Sequence, residues 1–283
     1  MSTPDVDIGH LRSWVGRELV RSEVIAPFPA RALAALLDRD TLPDPGGELP
    51  LPWHWLHFLD TPATSATGVD GHPMRGGFLP PVPLPRRMWA AGRFAVDAPL
   101  TLGRAAEKRS RVESVELKDG KTGPLVFVAV RHVLSQHGRT CIDEVQNIVY
   151  RDAPSPATPM APVVSEAQGT FERSFVPDAL LLFRFSALTY NGHRIHDDRD
   201  YAMREEFYPG LVVHGPLQAT LLLDLLAREC AGRTVRSFSF RAVRPVIDGK
   251  PLALAGRVIG DRAELWTRDA EGFICVSAEA EFA

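Results

Sequence analysis

Over residues 217–231 the chain is apolar on almost every side, the pattern of a helix enclosed in a core rather than laid on a surface. Gly215 as N-cap and Pro216 at the first helical position mark its start, and Gly232 marks its stop. A helix of about 16 residues spans roughly 24 Å, and its N-terminus presents unpaired N–H groups and the positive end of the helix dipole. Downstream, period-two patterns predict strands over residues 235–246, 252–259, 263–267 and 273–282. Upstream, a strand pair is expected over residues 171–185.

The earlier part of the chain has a similar order. Residues 8–38 hold an amphipathic start and a helix opened by Pro29, and residues 43–52 form a proline- and glycine-rich loop. Residues 53–60 read as a short buried helix whose Trp53, His54 and His57 are core aromatics. A long open loop follows over residues 61–85, the kind that serves as a lid or ligand wall. Strands take over from Met88 to Tyr150: residues 125–133 form a buried run, residues 118–123 carry hairpin chemistry and residues 141–150 alternate. The tract 154–162, with four prolines, is the clearest linker. Helix followed by antiparallel strands, twice over, predicts an α+β architecture in which each half wraps a sheet round a helix. The expected division is 1–151, a linker over 152–169, and 170–283. Edge strands left by each half predict that the two pair as a pseudo-dimer, as a monomer or within a homo-oligomer.

Polar chemistry concentrates over residues 184–217. An apolar run from Phe183 ends at Thr189-Tyr190-Asn191-Gly192, a turn-forming cluster whose glycine is expected to supply positive φ; His193 and His196 follow. Asn191 and His196, five apart, would sit about 140° from each other on a helix, so they converge only if the chain turns between them. His214-Gly215-Pro216 then opens the apolar helix. An amide, an imidazole and a helix N-terminus make a candidate set of acid–base group, water orienter and oxyanion donor.

Composition narrows the setting. At 283 residues, 45% of them hydrophobic, the chain is long enough for two domains of about 140 residues. A net charge of −3 gives no bulk attraction for nucleic acid or anionic membrane, so phosphates of a ligand would need local Lys and Arg. Cys141, Cys230 and Cys275 have no metal-type spacing and suit a reducing compartment. The start lacks a basic region followed by an apolar core, and no 18-residue apolar run occurs, so the expected location is cytoplasmic. His193 and His196 have the i, i+3 spacing of a metal pair, but no third ligand stands at useful spacing and Asp197-Asp198 reads as solvated; no metal is expected.

The stretch Asn191-Gly-His-Arg-Ile-His196, with Asp198, Tyr201, Ala202 and Val213-His214-Gly215, resembles the hydratase motif of the MaoC-like, type 2 enoyl-CoA hydratases of the hotdog fold. Two positions depart: Asn191 stands where that family has an aspartate, and His193-Arg194 replaces Asn-Pro. The variant, with Gly77-Phe-Leu-Pro-Pro-Val-Pro-Leu-Pro-Arg-Arg-Met-Trp89, looks more like the branch holding two-domain 3-hydroxyacyl-thioester dehydratases and mesaconyl-C4-CoA hydratases. The resemblance implies a double hotdog with a degenerate first half, and one site per chain in the second. It implies a hydro-lyase that adds water reversibly to an α,β-unsaturated thioester carried by CoA or acyl carrier protein, with no cofactor.

On that reading His196 is the base, Gly215 N–H holds the enolate oxygen, and His193, Arg194 and His214 contact substrate. Asn191 cannot titrate, so it would orient water or thioester, and His196 would itself return the proton to the α-carbon. A dicarboxylic acyl group would need a cation, for which Arg75, Arg184 and Arg194 are the candidates. Two alternatives stand beside this: a hotdog thioesterase using Glu205, Glu206 or Asp224, and a weakly catalytic acyl-thioester-binding subunit.

Overall fold

The structure, a computed structural model, describes residues 5–41, 44–120, 123–153, 164 and 167–283. The chain opens with one turn of helix, α1 (Ile8–Arg12), capped by the Asp7 carboxylate, which accepts the His10 N–H at 2.9 Å. Strand β1 (Glu18–Val24) leads into α2 (Pro27–Leu36). Four long strands follow: β2 (Arg86–Val96), β3 (Ala105–Gly120), β4 (Gly123–Gln136) and β5 (Arg139–Arg151). The second half contains β6 (Phe171–Phe175), α3 (Ala179–Thr189), α4 (Arg199–Arg204) and α5 (Gly215–Glu229), then β7 (Val235–Ala242), β8 (Leu252–Ile259), β9 (Arg262–Arg268) and β10 (Ile274–Phe282).

These strands form one antiparallel sheet in the order β1-β3-β4-β5-β2-β7-β10-β9-β8-β6. The first five run 1-3-4-5-2 and the last five repeat that order as 6-8-9-10-7. Two copies of one topology are therefore joined through β2 and β7, paired from Ala91 opposite Arg241 to Ala95 opposite Ser237. Neither inner strand is left as an exposed edge, which is how the fold disposes of the unpaired edge a single half would carry. In the second half the sheet curls round α5, whose Leu217, Leu222 and Leu226 share a core with Phe238, Leu254, Leu265 and Val276. The architecture is the α+β double hotdog expected.

The two halves differ in what fills the sheet. Among the described residues the first half sets α2 and one helical turn, Trp53–Leu56, under its strands. Its inner face carries a buried polar network instead of a full helix. Glu144, 2% exposed, accepts Trp55 Nε1–H at 2.8 Å and Gln146 Nε2–H at 3.0 Å, and lies 3.2 Å from His54 Nε2. Burial would raise its pKa, but the His54 bond and charge, with His132, outweigh that and hold it near 2.

Several sequence expectations need correction. Residues 171–185 are not a strand pair: β6 is followed by α3, which Asp178 caps by accepting the Leu181 N–H at 2.8 Å. Leu182, Phe185 and Ser186 are buried at i, i+3 and i+4 spacing, the signature of a helix that an apolar run conceals. The helix of residues 53–60 is only the turn Trp53–Leu56, and α2 starts two residues before Pro29. Strand β1 was not foreseen; as an edge strand with no fully buried position it has no apolar run to announce it. The linker tract 154–162, the hairpin tip at Lys121-Thr122 and Pro43 lie outside the described residues.

Candidate active site

Helix α3 ends at Tyr190, which takes the left-handed conformation, φ 48°, and turns the chain back so that the Asn191 N–H bonds Ser186 O at 2.9 Å. The turn was expected from Gly192; the positive φ belongs to Tyr190 instead. Gly192 is needed for space. A Cβ there would lie 2.9 Å from the carbonyl oxygen of Gly71, in the first half's long loop, and a Cβ on Gly71 would fall 1.7 Å from Gly192 O. The two backbones touch, and only glycine at both positions permits it.

Beyond that contact Asn191 Oδ1 accepts the His193 N–H at 3.0 Å, an Asx turn, and a helical turn, Arg194–His196, carries His196 inward. His196 Nδ1 lies 2.7 Å from the Val212 carbonyl, which can only accept. The proton is therefore on Nδ1, and Nε2 keeps a lone pair. The His196 ring stacks on His214 with centroids 3.6 Å apart, and Ser186 Oγ holds His214 Nε2 at 2.9 Å from behind. Next in sequence, Gly215 opens α5, where first-turn N–H groups have no intrahelical acceptor.

A cavity of about 1660 Å³ joins these groups to the first half. Asn191, His193, His196 and Gly215 of the second half line it together with Asp70, His72, Trp55 and Trp89 of the first. The loop bearing Asp70 and His72 is tied down by the Arg194 N–H to Asp70 O at 3.0 Å and by the Arg194 guanidinium to Val69 O at 3.0 Å. His72 then faces His193 with ring centroids 4.1 Å apart, and Asp70 accepts from His72 twice: its N–H at 3.0 Å through Oδ1, and Nδ1 at 3.1 Å from Oδ2. Nothing in the sequence marks Asp70 and His72 as site residues. Their loop was read as a ligand wall, and nothing local identifies which of its residues face the turn some 120 positions later.

Burial strips charge from this cluster. It lowers His196 to about 4 against the raising effect of the Val212 bond, and it takes His193 and His214 well below the usual histidine range, helped by the neighbouring imidazoles. His72 is lowered by the same cause, but the Asp70 bond works against it. At neutral pH His196, His193 and His214 are therefore neutral imidazoles, and His196 is able to accept a proton.

Not every expected contact faces the cavity. His214, 1% exposed, lies behind His196 and supports its ring. Arg194 is turned the other way, bonded to Asp198 at 2.7 Å and laid over Tyr201, beside a smaller depression of about 370 Å³. Arg75 does line the cavity, but its guanidinium donates to the carbonyls of Val82, Leu84 and Pro85, and Arg184 is exposed on α3. Trp53 is a core residue as expected, whereas His54 and His57, though buried, line the cavity and pair with Glu144 at 3.2 Å and Glu23 at 3.0 Å. Asp70, His72 and His193 bring three donor atoms within 4.8 Å, but the Asp70 carboxylate is already engaged by His72, and the charge of Arg87 acts on both.

The sequence profile of the hydroxyacyl-thioester dehydratase type 2 family matches residues 52–248. Mesaconyl-C(4)-CoA hydratase of Chloroflexus aurantiacus is 43% identical over 271 residues, covering 95% of this chain and 96% of that protein. The mitochondrial hydroxyacyl-thioester dehydratase type 2 of Schizosaccharomyces pombe is 26% identical over 240 residues, 76% of this chain and 78% of its own. Among solved structures, a MaoC-like dehydratase from Phytophthora capsici superposes with a TM-score of 0.72 at 12% identity, covering 98% of this chain and 99% of that one. HtdX of Mycobacterium tuberculosis gives 0.66 at 16% identity, covering 93% and 98%. The structural likeness is one of fold.

Proposed function

Because the chain belongs to the hydroxyacyl-thioester dehydratase type 2 family, and so is a hydro-lyase of acyl thioesters, we propose that it hydrates a branched dicarboxylic enoyl-CoA of the mesaconyl-C4 kind at the His196 turn. The observation that carries this is the His196 Nδ1–H to Val212 bond at 2.7 Å, which leaves Nε2 as a free base in a cavity shared with the start of α5. Water gives a proton to Nε2 and its oxygen adds to the β-carbon. Charge that builds on the thioester oxygen is met by the Gly215 N–H at the positive end of α5, an interaction worth about 3 kcal/mol in comparable oxyanion sites. Asn191 Oδ1 is used by the turn, and its Nδ2 remains to orient water or thioester. These steps need only proton transfer and charge stabilisation, so the acyl-CoA is substrate and no cofactor enters. Dehydration of a 3-hydroxyacyl thioester uses the same groups in reverse.

The carboxylates a thioesterase would use are committed elsewhere. Asp224 is held by Arg39 at 2.5 Å and Arg228 at 2.7 Å, Glu206 pairs with Arg86, and Glu205 is exposed. No described helix is long and apolar enough to cross a membrane, and all three cysteines are free, which fits a cytoplasmic enzyme. The decisive experiment is a screen of crotonyl-, mesaconyl-C4- and itaconyl-CoA for loss of enoyl-thioester absorbance with a thiol assay in parallel. Absorbance loss without thiol release is expected, and thiol release would overturn the hydratase reading.

Support for a dicarboxylic acyl group comes from the 43% identical relative and from Arg87, a cavity-lining cation whose charge reaches Asp70, His72 and His193. Of the three arginines considered from sequence, Arg75 and Arg194 are tied up and Arg184 is on the outside. Arg87→Met is expected to raise KM for mesaconyl-C4-CoA at least about tenfold, the loss of one charge-assisted bond, while KM for crotonyl-CoA stays within threefold. Equal effects on both substrates would show that Arg87 does not read the carboxylate.

A further inference from the structure

A hydration needs a proton delivered to the α-carbon as well as one removed from water, and the turn has no carboxylic acid for this because Asn191 occupies the expected place. The first half lines the same cavity with the acid–base pairs His54–Glu144 and Asp70–His72, and it is the latter that meets the turn, through His72 against His193. His72 reaches the second-half turn only because Gly71 and Gly192 pack backbone to backbone and Arg194 bonds both Asp70 O and Val69 O. Its Nδ1 lies 3.1 Å from Asp70 Oδ2, the geometry in which a carboxylate fixes a tautomer and steadies an imidazolium. With Nδ1 so engaged, Nε2 is the nitrogen left for substrate.

We propose that His72, oriented by Asp70, is the second acid–base residue of this hydro-lyase and protonates the α-carbon while His196 deprotonates water. The proposal rests on the hydration reading above. His72 lines the cavity and packs against His193 with the rings tilted 38° to each other, and the His193 centroid is in turn 5.4 Å from that of His196. At this range two imidazolium charges repel, and the charge of His72 does lower His196. The pair therefore carries no more than one proton between its members, and Asp70 favours His72 as the member that holds it. His196 has only a carbonyl opposite Nδ1; His72 has a carboxylate.

The step balances. Water loses a proton to His196 Nε2 as its oxygen bonds the β-carbon. The electron pair of the double bond passes into an enolate whose oxygen faces the Gly215 N–H. Carbonyl re-formation then drives that pair to the α-carbon, which takes the proton from His72 Nε2. After release of the 3-hydroxyacyl product, His196 returns its proton to His72 through water.

The charged and titratable groups facing His72 are Asp70 on its own loop, Arg75 just beyond it, Arg87 from β2 and His193 from the turn. His72 must hold its proton to act in hydration, so activity is present below its pKa and is lost above it. Neutralising Asp70 removes the influence that raises that pKa, and the basic limb of the rate profile should move to lower pH.

The test uses the full chain and whichever enoyl-CoA the wild type turns over. His72→Gln is expected to lower kcat at least about 100-fold with KM within threefold. Asp70→Asn keeps the side-chain oxygen that accepts the His72 N–H, so the loop should stay docked, and its basic limb should shift down by about one pH unit. A His72→Gln enzyme within threefold of wild-type kcat, or an Asp70→Asn basic limb that does not move, overturns the proposal. His196→Asn separates the two readings. If it is inactive while His72→Gln is active, only this inference fails; if His196→Asn is itself active, the underlying assignment fails.

Discussion

Replacing His196 is expected to reduce kcat for hydration by about 10² to 10⁴, the range a positioned general base contributes. Two variants separate chemistry from packing. The side chain is 7% exposed and stacked on His214, so His196→Ala leaves a hole and an unmet Val212 carbonyl, at about 1–3 kcal/mol of stability. His196→Asn retains an N–H near Val212 O and should melt close to wild type while remaining inactive. The rate profile gives a further check. Neutral His196 is the active form and burial holds its pKa to about 4, so the acidic limb should lie near pH 4 rather than at the ordinary histidine value. Turnover within a few-fold of wild type in the asparagine variant would remove His196 from the mechanism.

That both variants are needed is itself a lesson in what the sequence conveys. His196 stands next to Asp197-Asp198, which reads as solvated, and the linear chain cannot tell that Val212 and His214 close over it. Where a fold depends on neighbours in sequence, the pattern was legible. The apolar run of α5, its Gly-Pro start and the alternation of β7 to β10 declare themselves because each repeats a local geometry. Helix α3 was misread because an unbroken apolar stretch suits either period, and its cap, Asp178, lies just before the run. The site divides the same way: Asn191, His196 and Gly215 sit on one short stretch of chain and were found, whereas Asp70 and His72 come from another half. Gly192 matters for the carbonyl of Gly71 and not, as a turn glycine suggests, for its own φ.

The Gly71–Gly192 contact leads to the second large effect. Gly71→Ala places a methyl group 1.7 Å from Gly192 O, and neither side can yield by rotating a side chain because both are backbone. Gly71 also sits at φ +85°, where an L-residue costs about 1–2 kcal/mol. The loop must lift, giving up the Arg194 bonds to Asp70 O and Val69 O, each worth about 1 kcal/mol, and carrying His72 away from His193. Because the sheet and the core round α5 lie elsewhere, Tm should fall by only a few degrees. Activity should fall far more, at least about 30-fold, since a displacement of about 1 Å in a positioning group can cost 100-fold. Gly77→Ala is the control: it lies in the same loop with no positive φ and nothing within 4 Å of the added Cβ, and should behave as wild type. A Gly71→Ala enzyme with near-normal kcat would mean that the second half works without the loop, and that the first half serves the fold but not the reaction.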